Sequence, residues 1–250
     1  MRNKLSMNAT VDIVIPVLNE EVVLSGTIEK LFAFTADHPE RDWRIIVADN
    51  GSTDSTREIA TELAEKHSHL SLSLLDQRGR GRALKKAWGE SDADVRLYMD
   101  ADLSTDLKAL PALVTAIADD GYEVATGSRL IKGSKVVDRT LKREITSRGY
   151  NILIHMFFPL TKFKDAQCGF KAISRRTAEN LVPLIKDNAW FFDTELLVLA
   201  GKAGYGIKEV PVHWEDDPDT RVKIISTAWE DVKGLLRLRF KSRTVPPSAP

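Results

Sequence analysis

Apolar positions in the first half of the chain alternate between two rhythms. Val11–Val17 is a short, nearly continuous apolar run, as expected of a strand buried on both faces. Leu24, Ile28, Leu31 and Phe32 then recur at helical spacing. Trp43–Ala48, Leu70–Leu75, Val95–Met99 and Glu123–Thr126 predict further strands. Helices are predicted between them: from the capping-box pair Ser55 and Glu58 through Lys66, over Arg82–Gly89, and around Leu107, Leu110, Val114 and Ile117. This alternation predicts an α/β fold, a mixed and mainly parallel sheet flanked by helices.

The second half is less regular. Thr140–Phe158 reads as a helix, basic at first and then strongly apolar. Ala178–Leu184 and Thr194–Ala203 read as short helices and Ile207–Trp214 as a strand; no element is assigned between Phe158 and Ala178. The expected organisation is an N-terminal tail (1–10), one catalytic domain (11–241) and a disordered Pro/Ser/basic tail (242–250). Within the domain, 11–126 and 127–215 are the two halves, and 216–241 is a loop followed by an amphipathic helix.

Composition narrows the class. Of 250 residues, 36 are basic and 36 acidic, so the basic excess of a bulk nucleic-acid binder is missing. One cysteine, Cys168, excludes an internal disulfide and a cysteine-rich zinc site, and fits a reducing compartment. Met1–Thr10 lacks the apolar core of a secretory signal. No apolar run reaches the roughly 18 residues of a spanning helix, so any membrane contact is expected to be peripheral.

Ligands of parallel α/β sheets lie beyond the carboxyl ends of the strands. Pro16, Asn19, Glu20 and Glu21 follow the first predicted strand, Asp49–Asp54 the second, and Asp100-Ala101-Asp102 the fourth. Acids gathered on one edge repel unless a cation or donor-rich ligand offsets them. Asp100 and Asp102, one residue apart at a strand end, suit Mg2+ or Mn2+ shared with a diphosphate. Asp49–Asp54, including Gly51, also reads as an ordinary turn. Gly79-Arg80-Gly81-Arg82 could hold a base or phosphates, or be a solvated helix start; it matches neither a P-loop nor a dinucleotide fingerprint.

Together these residues resemble family 2 glycosyltransferases with the GT-A fold. Val14–Glu21, Asp49–Asp54, Gly79–Leu84 and Asp100–Ser104 carry the likeness. Gly127-Ser128-Arg129, Arg143 to Arg148, Asp165–Lys171, Phe192–Glu195 and Glu209–Trp214 narrow it to polyprenyl- and dolichyl-phosphate sugar synthases. The resemblance implies that Pro16, Asn19, Glu20, Asp49, Gly51, Arg80 and Ala101 meet the nucleotide sugar. It implies a metal at Asp100 and Asp102 with Gln167 nearby, and an acceptor phosphate at Arg129, Arg143 and Ser147. Arg221 and Lys223 would close over the diphosphate.

The implied reaction is inverting transfer of a hexose, from UDP-glucose before GDP-mannose, to a polyprenyl phosphate. The alternative is a sugar or protein hydroxyl acceptor, which needs a base such as Asp165. Many bacterial relatives continue into two membrane helices beyond the position of Phe240; a chain without them is expected on the cytoplasmic face of a membrane. Ile224, Ile225, Ala228, Trp229, Val232, Leu235 and Leu236 recur at helical spacing before Arg237 and Arg239. That stripe suits an anionic lipid surface, the sheet, a separate membrane partner or a second copy of the chain.

Overall fold

The computed structural model describes residues 9–215 and 224–240. A seven-stranded sheet runs through both halves in the order β3-β2-β1-β4-β7-β5-β8. Its members are β1 (Thr10–Val17), β2 (Asp42–Asn50), β3 (Leu70–Leu75), β4 (Val95–Met99), β5 (Val124–Ser128), β7 (Phe170–Ser174) and β8 (Ile207–Pro211). All neighbours pair parallel except β7, which is antiparallel to β4 and β5. A small parallel pair joins β6 (Lys135–Val137) to β9 (His213–Glu215).

The two faces of the sheet build two cores. Val11, Ile13 and Ile15 of β1 face one side, with α1 (Leu24–Ala36), α2 (Thr56–Lys66) and α4 (Leu110–Ala118). Val14 and Tyr98 face the other, with α3 (Arg80–Glu90), α6 (Arg175–Leu181) and α7 (Phe192–Lys202). Alternation within strands buried on both sides is what a nearly continuous apolar run encodes. The long helix α5 (Leu141–Phe157) and the final helix α8 (Ile224–Phe240) pack beside α7 on the second face.

Three expectations change. The strand expected over Ile207–Trp214 is two strands: β8 ends at Pro211, which has no N–H to donate, and β9 leaves for the small sheet. Ser55 occupies the N-cap of α2 but makes no side-chain cap bond. Its own N–H is taken by Glu21 Oε2 at 2.9 Å, because the loop after β1 reaches across. The apolar stripe of α8 divides: Leu235 and Leu238 are buried, while Trp229, Leu236 and Phe240 are exposed.

Helix α8 is also held by polar contacts. Arg237 pairs with buried Glu195. Asp231, 4% exposed, bonds Tyr150, whose hydroxyl lies 2.9 Å from Thr194 Oγ1. Burial, then the negative charges of Asp187, Asp193 and Glu230, push the Asp231 carboxyl up to about 7, against the Tyr150 bond. An unfolded Asp titrates near ~3.9. Between those values the folded chain holds a proton that the unfolded chain has released, so stability falls as pH rises. The slope is on the order of 1.4 kcal/mol per pH unit and flattens above neutrality. Asp231→Asn keeps an acceptor for Tyr150 and removes the titration. The variant is expected to be more stable than wild type at pH 8, by roughly 2–4 kcal/mol, and nearly equal to it at pH 4. Urea midpoints at the two pH values measure this, and a parallel pair of pH profiles would refute it.

Candidate active site

The carboxyl ends of β1, β2 and β4, adjacent and parallel, bring Asn19, Glu20, Asp49, Asp100 and Asp102 to one edge of the sheet. The loops after β1 and β2 are tied together. Asn19 Oδ1 accepts from the Thr53 N–H (2.8 Å), and the Glu20 N–H donates to Thr56 Oγ1 (2.8 Å). Asn19 has φ +57°, a left-handed conformation that Asn tolerates. Gly51, at φ +79°, makes the turn after β2 with Asp76 close behind it.

Asp49 is fully buried. Its Oδ1 accepts from the Ser52 N–H (3.1 Å) and its Oδ2 from Arg57 Nε (3.0 Å) and Nη2 (2.7 Å). The carboxylate expected to face a nucleoside is therefore held from behind by Arg57, a partner the sequence pattern did not reveal.

Asp100 and Asp102 flank buried Ala101 in the turn that ends β4. Asp102 is exposed, and its Oδ1 accepts from the Ser104 N–H at 2.9 Å. Leu103 follows at φ +54°, a conformation an L-residue adopts only at a cost of about 1–2 kcal/mol. Such strain is kept where a turn must present a group. The Asp100 carboxyl is shifted upward: burial disfavours its charge, Arg80 opposes this, and Asp102 and Asp193 add negative charge.

Arg80, expected at the base or phosphates, turns inward. It pairs with Asp100 through Nη2 (2.5 Å) and with Asp193 through Nη1 (2.8 Å). Its guanidinium lies over the rings of Tyr98 (4.9 Å) and Trp190 (5.1 Å). The loop carrying Gln167 meets the same place. Gln167 is exposed, while a Cβ added at Gly169 would push into the Asp100 carboxylate and displace it. The antiparallel direction of β7 explains the meeting. Phe170 pairs with Met99, so the loop preceding β7 arrives at the carboxyl edge beside Asp100.

At its other end this loop holds Asp165, fully buried. Asp165 accepts from the Arg129 N–H (3.0 Å), Nε (2.8 Å) and Nη2 (2.9 Å) and from the Gln167 N–H (3.1 Å). Burial opposes the charge, but Arg129 outweighs it and holds the carboxyl at about 2. The Arg129 guanidinium also lies 4.9 Å over the Trp214 ring. Arg129 then opens onto a cleft of about 430 Å3 lined by Val136, Arg139, Leu141, Glu144 and Arg148. Arg143 and Ser147, expected beside Arg129, do not line it: Arg143 is half-buried on the first turn of α5 and Ser147 is buried. Arg139 and Arg148 stand there instead, both paired with Glu144. Arg221 and Lys223 fall outside the described residues.

The donor chemistry at the strand end fits a hard divalent cation. Asp100 and Asp102 offer carboxylate oxygens in surroundings with negative charge to spare. Among the described residues no group of three or more His, Cys, Asp or Glu side chains could hold a metal. Substrate phosphate and water oxygens would complete such a shell, as Mg2+ and Mn2+ sites on phosphate substrates normally have it.

The fold is shared with sugar-nucleotide enzymes. Glucosyl-3-phosphoglycerate synthase from Mycobacterium tuberculosis, crystallised with Mn2+, UDP and phosphoglyceric acid, superposes with a TM-score of 0.71 at 16% identity, over 97% of this chain and 85% of its own. The mannosyltransferase PcManGT from Pyrobaculum calidifontis, in complex with GDP-Man and Mn2+, gives 0.60 at 16%, over 96% and 66%. The architecture is thus that of the GT-A class. The model of Glycosyl transferase family 2 matches residues 12–182, and the chain belongs to that family.

Among curated relatives, glycosyltransferase AglD of Haloferax volcanii is 40% identical over 220 residues, covering 86% of this chain and 34% of the relative. Dolichyl-phosphate beta-glucosyltransferases of Dictyostelium discoideum (29% over 246 residues, 94% of this chain and 75% of the relative) and Drosophila melanogaster (30% over 226, 84% and 68%) are also similar. The chain spans 34% of the archaeal protein's length and 75% and 68% of the other two.

Proposed function

We propose that the chain transfers a hexose from a nucleoside diphosphate sugar, UDP-glucose before GDP-mannose, to a polyprenyl phosphate, with inversion to a β-linked product. The observation that carries this reading is the loop 165–169. At one end Gly169 abuts Asp100, and at the other Asp165 braces Arg129 at the mouth of an arginine-lined cleft. A leaving diphosphate and an anionic acceptor need such opposed surroundings a few residues apart.

Glu20 and Asp49 are assigned to the nucleoside, with Pro16, Asn19, Gly51 and Ala101 around it. Asp100 and Asp102, with Gln167 beside them, would hold Mg2+ or Mn2+, which when bound offsets charge on the departing diphosphate. Arg129, with Arg139 and Arg148 added to Arg143, is assigned to the acceptor phosphate. A phosphate monoester, with its second pKa near ~6, is mostly dianionic at neutral pH and needs no strong base. Asp165 could not serve as one, being fully buried and occupied by Arg129. This weighs against the hydroxyl-acceptor alternative.

A lipid acceptor also gives a reason for the exposed apolar side chains of α5, whose Leu141 lines the cleft, and of α8. Leu141, Ile145, Ile152 and Met156 lie along one face of α5, and Trp229, Leu236 and Phe240 along α8. Such faces suit peripheral contact with the cytoplasmic side of a membrane. No helix among the described residues is long and apolar enough to cross one.

The test is a panel of nucleotide sugars against polyprenyl phosphate, polyprenol and free sugars, with Mg2+, Mn2+ or chelator. Turnover is expected with UDP-glucose and polyprenyl phosphate, lost with chelator, and yielding a β-anomer by NMR. Transfer to a hydroxyl acceptor without lipid phosphate, or an α-linked product, would rule the reading out.

A further inference from the structure

We infer that Lys171 and Asp193 are positioning residues that lock both walls of the donor site to each other; the inference rests on the nucleotide-sugar reading above. Lys171 is fully buried as the second residue of β7. Its ammonium donates to two carbonyls, Ala166 O (3.1 Å) and Cys168 O (2.6 Å), and forms an ion pair with Asp193 Oδ1 (3.2 Å). Both carbonyls belong to the loop that carries Gln167 and brings Gly169 against Asp100. The ion pair begins a different chain of contacts. Asp193 also accepts from the Tyr98 hydroxyl and, through Oδ2, from Arg80 Nη1 at 2.8 Å. Arg80 in turn grips Asp100.

Asp100 is therefore gripped by Arg80 and closely abutted by Gly169, and both neighbours lead back to one ammonium. The register explains how. Lys171 pairs with Tyr98 of β4 and Thr126 of β5, so its side chain emerges on the α7 face of the sheet, where the first turn of α7 presents Asp193. A buried ion pair is seldom a better source of stability than an apolar pair of the same volume. What the charges supply here is direction: a tetrahedral ammonium and a forked guanidinium each hold two partners at fixed angles. Groups that orient ligand carboxylates typically contribute about 10–100-fold to metal affinity or activity.

The experiment compares wild type, Lys171→Met, Asp193→Leu, the double variant and Asp193→Asn in three measurements. These are thermal unfolding, calorimetric binding of UDP with and without Mn2+, and turnover of the donor. The double variant is expected to unfold closer to wild type than Asp193→Leu, which leaves the buried Lys171 ammonium without its carboxylate. Its Mn2+-dependent UDP affinity and its kcat are each expected to fall by about 10–100-fold. A role confined to stability would instead return both when the fold returns, and wild-type binding and turnover in the folded double variant overturn the inference. If the double variant does not fold, nearly isosteric Asp193→Asn decides: weakened Mn2+-dependent binding supports the positioning role, and unchanged binding overturns it. Wild type that binds neither UDP nor GDP with Mn2+ would fail the donor reading itself, and the inference with it, before any variant is compared; should only GDP bind, GDP replaces UDP in these measurements.

Discussion

Asp102→Ala is expected to lower turnover by at least about 10²–10³-fold while leaving the unfolding temperature almost unchanged. The asymmetry follows from where the two carboxylates sit. Asp100 is built into the fold: Arg80 grips it, Gly169 abuts it, and neutralising it leaves a guanidinium that is 10% exposed short of a partner. Asp102 is exposed, and its side chain makes one hydrogen bond, to the Ser104 N–H in its own turn. Its removal costs little more than that bond, about 0.5–1.5 kcal/mol. Yet the turn that presents it is strained at Leu103. Alanine at 102 keeps the turn and deletes an oxygen donor. Calorimetry should show UDP binding that no longer responds to Mn2+. A variant with wild-type turnover would remove the metal from the mechanism.

The first half of the fold was legible because its strands are buried on both faces and its helices on one. Each period in the sequence therefore has a single reading. What escaped was β7. Phe170 and Ala172 face one core, and Lys171 and Ile173 the other. A charged residue inside a five-residue run reads as an interruption, although its charge is matched by Asp193 and two carbonyls. Without that strand, Gln167 was placed at the site by the resemblance alone. A search of the loops that follow strands finds Asn19, Asp49 and Asp102, but an antiparallel strand delivers the loop before it.

The candidate site divides the same way. Asp100, Asp102, Glu20 and Asp49 stand at neighbouring strand ends, as expected from the run of acids after three apolar segments. Arginines were harder to place, because a long side chain can point far from its own loop. Arg80 turns under the sheet edge to two carboxylates, and Arg139 and Arg148 reach a cleft that Arg143 does not line. No spacing rule distinguishes Arg143 from Arg148 before the angle of α5 against β5 is known. A lysine inside an apolar run and an aspartate opening a buried helix, Lys171 and Asp193, were the available signal for the connection behind the site.

Asp165→Asn is expected to be the most damaging isosteric change to stability. The native carboxylate accepts four hydrogen bonds, three of them from Arg129, and is held at about 2. A carboxyl whose folded pKa lies below its unfolded value, about 3.9, contributes stability that is complete above that value. The contribution is lost as pH falls through 2, and here amounts to roughly 2–3 kcal/mol. The amide loses this and does further harm. It points an N–H2 at a guanidinium, leaving Arg129, 10% exposed, as an uncompensated charge between Trp214 and the cleft. Breaking a buried pair from one side typically costs about 3–5 kcal/mol. For a chain of this size that lowers the unfolding temperature on the order of 10 °C at pH 7. The deficit should narrow toward pH 2, where the wild-type carboxyl is itself protonated. Removing both partners, as Asp165→Leu with Arg129→Met, should restore most of the unfolding temperature but no turnover. On the proposed reading the guanidinium serves the acceptor phosphate and the carboxylate holds it in place. A single variant as stable as wild type at pH 7 would show that the pair contributes no net stability.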